Sequence, residues 1–316
     1  YNPESNYLYN WNNRPERNWP GSDLWWVHWG IGHRAVLLDK ALAAKEHFTV
    51  EQIWQLNQVM SHSDVNAAFL IPSLLAAMKP RAKEQLTRDA LQQLTQWDQL
   101  WVDRNRDGFF DHPANLIMHH WLTRLLRYVF LDDIGEQFMF RFAATGYPVT
   151  NQVASISMQP GVKILVRQLY GTEPQPWDFF NQEAAEQVLV KTFEETMATL
   201  SEAEGRDISQ WRIATFPLRF VPYNFRGVPQ ALPGTGPSLP VIMNRGSENN
   251  QFIVKDKKIR GIDVVAPSQS GFIARGAKKY REDQLAIYQN YASKPLPYPS
   301  TQFMSRETLN YSLPHR

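Results

Sequence analysis

The chain has no cysteine, which excludes disulfides, thiol nucleophiles and zinc ribbons and leaves the redox compartment undetermined, since a cysteine-free chain fits either side of a membrane. It also lacks any apolar run near the roughly 20 residues that a membrane-spanning helix needs. An excess of one charge is missing too: 33 Lys and Arg stand against 31 Asp and Glu, a net charge of +2. That balance leaves no electrostatic footprint for nucleic acid or an anionic membrane, so neither is expected as a partner. No internal repeat or low-complexity tract occurs. Gly234-Thr235-Gly236-Pro237 has no strand feeding it, and Pro237 and Pro240 block the helix that a dinucleotide site requires. Ser270 lies in Gln-Ser-Gly rather than Gly-x-Ser-x-Gly, so the elbow that exposes a nucleophilic serine is absent there.

What the chain does hold is core-forming material, 43% hydrophobic and 13% aromatic over 316 residues, enough for one large or two medium domains. Tyr7, Tyr9 and Trp11 alternate with the period of a half-buried strand. Asn10, Asn12 and Asn13 crowd its end. A rigidly held asparagine amide can aim a neutral N–H dipole at oxygen charge developing in acyl transfer; equally, such amides tie off a turn through their own backbone. Ser22 and Asp23 then offer N-caps to a helix with apolar positions Leu24, Val27, Ile31, Ala35, Leu38 and Leu42.

Further helices are predicted from a capping box at Thr49 and Gln52, over Val65 to Met78 with Pro72 as a kink or break, over Ala82 to Trp101, from Pro113 to beyond Val129, and from an Asn181 cap to Leu200. Asp132 and Asp133 are read as a solvated helix end. His28 and His33 do not share a helix face, and the adjacent His119 and His120 diverge, one toward the core and one outward, so neither pair is read as a metal site. Glu194 and Glu195, neighbours on one helix, cannot act as facing catalytic carboxylates. Beyond Gly205 the composition turns to strand and loop, with strands expected over Val241 to Asn244, Gln251 to Lys255 and Gly261 to Val265, then a helix from Lys279 to Tyr291. The reading is α+β, with a largely helical portion at 1–204 and a strand-rich portion at 205–316, the two β-like ends meeting in one sheet.

Asp103-Arg104-Asn105-Arg106-Asp107-Gly108-Phe109-Phe110-Asp111 places oxygen side chains at relative positions one, three, five and nine around a glycine at six. This is the front of a calcium loop, with Asp103, Asn105, Asp107, the Phe109 carbonyl and Asp111 as ligands. Ala114 replaces the usual bidentate Glu, and a solvated acidic turn is the other reading of the same residues.

The run Tyr9-Asn10-Trp11-Asn12-Asn13, with Tyr1-Asn2-Pro3, Pro15, Ser22-Asp23 and Gly30 to Arg34, resembles one segment of the penicillin G acylases. The likeness resumes in order at Asn224-Phe225-Arg226-Gly227-Val228-Pro229-Gln230-Ala231, Asn244-Arg245-Gly246-Ser247-Glu248-Asn249, Asp263-Val264-Val265-Ala266-Pro267-Ser268-Gln269-Ser270-Gly271-Phe272-Ile273-Ala274 and Tyr280-Arg281-Glu282-Asp283-Gln284-Leu285. Ordered, dispersed motifs are more specific than any single short pattern.

The resemblance implies part of a four-layer αββα N-terminal-nucleophile hydrolase sandwich. It implies Asn12 as side-chain oxyanion donor, Arg34 as an active-site residue that helps to arrange the site, and Asp23 as a calcium ligand. Its nucleophile is a serine at the free amino terminus of the large subunit, whereas this chain begins with Tyr1. The expectation is therefore a C-terminal part of that subunit, its terminus made by processing or cleavage. The serine and the small subunit would come from other processed chains of the same precursor. The implied reaction is hydrolysis of small-molecule amides of the phenylacetyl type, in the periplasm or outside the cell. Acylases of acyl-homoserine lactones or other long-chain amides are the nearest alternative, and a non-catalytic, calcium-stabilised structural or binding subunit is the alternative from another class.

Overall fold

The computed structural model describes residues 4–10, 35–142, 160–171, 176–215, 248–256, 258–265 and 284–296. Two compact units result, Tyr1–Asn244 and Arg245–Arg316.

In the first unit the described helices are α1 (Ala35–Ala43), α2 (Val50–His62), α3 (Val65–Met78), α4 (Gln85–Gln96), α5 (Pro113–Ile134), α6 (Glu136–Phe142), α7 (Pro160–Tyr170) and α8 (Ala185–Glu204). α2 starts as its sequence dictates: the Thr49 hydroxyl accepts from the Gln52 amide N–H and the Gln52 side chain accepts from the Thr49 N–H. α3 starts on Asp64, whose carboxylate accepts from the Ala67 N–H at 2.9 Å. Proline at its first turn opens α5, and a glycine follows its end.

α5 is buried on most of its circumference, through Leu116, Ile117, Trp121, Leu122, Leu125 and Phe130 among others. α8 supplies Val188, Phe193 and Met197 to the same core, and α3 supplies Leu70 and Leu74. Each such side chain contributes about 1.5–3 kcal/mol through removal from water. The Trp121 indole N–H donates to the Thr192 hydroxyl at 3.2 Å, so the one polar atom of that ring is satisfied inside the core.

Three expectations fail locally, each because a side chain is used elsewhere. The strand at Tyr7 is not formed: residues 7–10 have no regular structure, and among the described residues the sheet contains only later strands. α4 ends at Gln96, not near Trp101, because Asp98 accepts the Leu100 N–H at 3.0 Å and Trp101 turns into the core. Asn181 does not cap α8; it sits at φ 54° and donates to Asp132 at 2.7 Å. Asp132 and Asp133 are thus exposed yet engaged, Asp133 by the Trp177 indole at 3.0 Å.

Described in the second unit are an antiparallel hairpin, β1 (Glu248–Lys255) and β2 (Lys258–Val265), with β3 (Lys294–Leu296) beyond β2 and a short helix α9 (Leu285–Gln289). Asp256 at φ 51° carries the reversal. Phe252 pairs with Gly261 across the hairpin and lies over it, where an added Cβ would meet the ring at 3.1 Å. Val241 to Asn244 and residues 279–283 of the helix expected over Lys279 to Tyr291 lie outside the described residues; in the remainder the helix is Leu285–Gln289.

Candidate functional site

A side-chain hydrogen bond ties the amino-terminal segment to the first helix. The Tyr7 hydroxyl donates to the Asp39 carboxylate at 2.8 Å, on α1, and this carboxylate is the main reason that the Tyr7 phenol is held above its ordinary pKa. Ser5 donates to the Tyr7 carbonyl at 3.0 Å, and the Tyr7 and Tyr9 rings lie 6.2 Å apart. α1 packs Leu37 on the core. The tie therefore joins the chain just before the asparagine run to the helix just after Arg34. Asn12, Asp23 and Arg34 themselves lie outside the described residues. Sequence reasoning missed Asp39, because nothing local couples it to a tyrosine 32 residues earlier.

The loop at 103–111 is fully placed. Gly108 takes φ +87°, the left-handed turn for which the pattern requires glycine. Both oxygens of each carboxylate accept hydrogen bonds. Asp103 receives the N–H groups of Asp107 at 3.1 Å and Gly108 at 3.0 Å. Asp107 receives the Phe109 N–H at 3.0 Å, the Asn105 amide at 3.1 Å and the Arg212 guanidinium. Asp111 receives the Arg104 backbone N–H at 3.0 Å and its guanidinium at 2.8 Å. Two of the five expected calcium ligands are thus paired to arginines, and among the described residues no three His, Asp or Glu side chains form a group able to hold a metal ion. The donor set present does not fit a divalent cation. Arg212 had no signal in the sequence, since its partner lies 105 residues away.

Two buried titratable groups sit in the helical core. Asp64 is fully buried and accepts the Trp101 indole N–H at 2.7 Å. Burial pushes its carboxyl up to about 7, against the pull of N–H donors from Ala67, Trp101 and Asn66. His119 is buried, and burial pushes its imidazole down to about 3, with His120 adding to the shift. His120 is exposed. A cleft of about 530 Å³ between α4 and α8 is lined by Arg81, Lys83 and Arg206 against Glu84 and Glu194, over Leu86 and Met197, so both signs of charge face it.

Comparison with known proteins decides the family. The penicillin amidase family model matches residues 1–303. The chain belongs to the penicillin amidase family. It is 33% identical over 307 residues to the penicillin G acylase of Escherichia coli, an alignment covering 94% of this chain and 36% of that protein. The structure of a thermostable penicillin G acylase from Alcaligenes faecalis superposes with a TM-score of 0.81 at 28% identity, covering 99% of this chain and 58% of that one. This penicillin amidase chain thus spans little more than a third of the length of the Escherichia coli relative. Its mixed helix-and-sheet structure is that of penicillin G acylase, an N-terminal-nucleophile hydrolase fold. At family level the activity is amide hydrolysis.

Proposed function

We propose that this chain is the oxyanion-bearing part of a penicillin-acylase-type amide hydrolase whose serine nucleophile is carried by another segment of the same precursor. In this reading the serine oxygen attacks the amide carbonyl, its proton passing to the α-amino group beside it. The carbonyl oxygen takes up negative charge and receives N–H donation from Asn12. Collapse breaks the C–N bond, the amine departs with the proton, and water then attacks the acyl-serine ester to release the acid and restore the hydroxyl. Arg34 orients the site or meets a substrate carboxylate, as a planar guanidinium can. Asp23 is a calcium ligand. The substrate is a small amide with a phenylacetyl-like acyl group, and the location is the periplasm or the cell exterior.

The observation that carries this reading is the family match over residues 1–303, which includes the Asn-Trp-Asn-Asn run in its ordered context. The Tyr7–Asp39 tie adds to it, since a fixed donor dipole stabilises developing charge only if the chain on both sides is held. In the complete enzyme, Asn12→Ala is expected to lower turnover of a phenylacetyl anilide about 100-fold to 1,000-fold with the thermal midpoint unchanged. Near-normal turnover would remove Asn12 from the chemistry. Faster hydrolysis of an acyl-homoserine lactone than of the phenylacetyl amide would move the substrate assignment to long-chain amides.

A further inference from the structure

We infer that the Asp103–Asp111 loop is a metal-independent latch in which Arg212, not calcium, is the cation. The sequence pattern and the contacts disagree here, and the contacts are chemically complete. Arg212 donates to Asp107 while its guanidinium carbon lies 4.8 Å from the centre of the Phe109 ring, so one planar cation serves both a carboxylate and an aromatic face. Arg104 bridges Asp111 at 2.8 Å and Asp98 at 2.9 Å. A divalent ion entering among Asp103, Asp107 and Asp111 would face two guanidinium groups already in contact with two of those carboxylates, and would have to expel them. Ala114 stands where a calcium loop supplies its strongest ligand.

The latch has something to hold. Phe109 pairs with Ala214 in an isolated antiparallel bridge, the Phe110 N–H donates to the Ile213 carbonyl at 3.0 Å, and the Thr215 N–H donates to the Gly108 carbonyl at 2.8 Å. Between these bonds Trp211 and Ile213 are buried in the helical core. The turn thus pins the chain leaving α8 onto the entry to α5, and Arg212 closes it from the solvent side. A family trait of calcium binding elsewhere in the protein is untouched by this inference, because the contacts concern only this loop.

Hydrogen exchange at the Phe110 and Thr215 amides of the complete protein tests it. In the wild type, protection at both is expected to be the same in excess calcium and in excess chelator. Arg212→Gln and Asp107→Asn are each expected to raise exchange at these two amides about 10-fold, the double variant no further than the larger single effect, as for two halves of one contact. Arg212→Lys, which restores charge without the fork, should fall between. Loss of wild-type protection on chelation would overturn the inference. So would unchanged exchange in Arg212→Gln, or single effects that multiply in the double variant.

Discussion

The segment before the asparagine run and the helical body are built on opposite terms. Residues 4–10 have no regular structure, Leu8 is 73% exposed, and a phenol–carboxylate hydrogen bond ties Tyr7 to the body. α5, by contrast, buries Trp121, Leu122, Leu125 and Leu126 completely. The polar groups of the body, Asp64, Thr192 and His119, lie inside it and act on stability. The difference teaches that stability and the proposed chemistry reside on different residues here, so each can be perturbed with the other as control.

The largest stability effect belongs to the body. Trp121→Ala removes a fully buried ring that lies edge-on to Phe193 at 6.1 Å and takes away the donor to Thr192. A loss of about 3–5 kcal/mol is expected, seen as a lowered thermal midpoint with turnover per folded molecule retained. If turnover fell as far as in Asn12→Ala while the protein stayed folded, the division between body and site would be broken.

The next effect is in pH dependence, where two buried groups oppose each other. The Asp64 carboxyl sits at about 7 in the fold against an ordinary 3.8, so from pH 4 to 7 the folded state keeps a proton that the unfolded chain has lost. Its contribution to stability therefore declines as pH rises through that window. His119 sits at about 3 against an ordinary 6.5, so between those values the unfolded chain takes up a proton that the fold refuses. That contribution declines as pH falls. Each slope is at most about 1.4 kcal/mol per pH unit, and between pH 4 and 6.5 they offset. Asp64→Asn should leave the imidazole slope alone, giving a protein that loses stability on acidification; His119→Gln should leave the carboxyl slope and gain stability. Parallel pH profiles for all three proteins would show that neither group couples to folding.

How much of this was legible in the sequence follows from the range of each interaction. The Thr49 box, the span of α3, the proline start of α5, the divergence of His119 from His120 and the strands expected over Gln251 to Lys255 and Gly261 to Val265 all rest on neighbours within a few residues, and all are present, the two strands each starting three residues earlier than expected. The dispersed motifs disclosed the family for a related reason, since they are local signatures repeated in order. What failed was long-range. Tyr7 alternates with Tyr9 as strand residues do, but its hydroxyl is spent on α1; Asn181 has cap chemistry, but its amide is spent on Asp132. The Asp103 pattern is a cation loop when read along the chain, and only the fold brings Arg212 to it. Calcium, with Asp23 as its ligand, stays within the proposed function.

The smallest stability effect is where the two regions meet. Tyr7→Phe deletes the hydroxyl that donates to Asp39 at 2.8 Å and leaves the ring in place. A half-buried hydrogen bond of this kind adds about 1 kcal/mol, so the thermal midpoint should move by no more than about 4 °C. Turnover is another matter, because Asn12 and Arg34 each lie five residues inside this tie along the chain. A donor misplaced by a fraction of an ångström loses part of its field at the oxyanion, and about a 10-fold fall in kcat with KM nearly unchanged is expected, below the loss from deleting the donor itself. Asp39→Asn, whose amide oxygen still accepts from the phenol, should retain most of the activity. Equal losses in Asp39→Asn and Tyr7→Phe would assign the effect to charge near the site instead of the geometry of the tie, and an unchanged kcat in Tyr7→Phe would mean that the 11–34 segment is held by its own contacts.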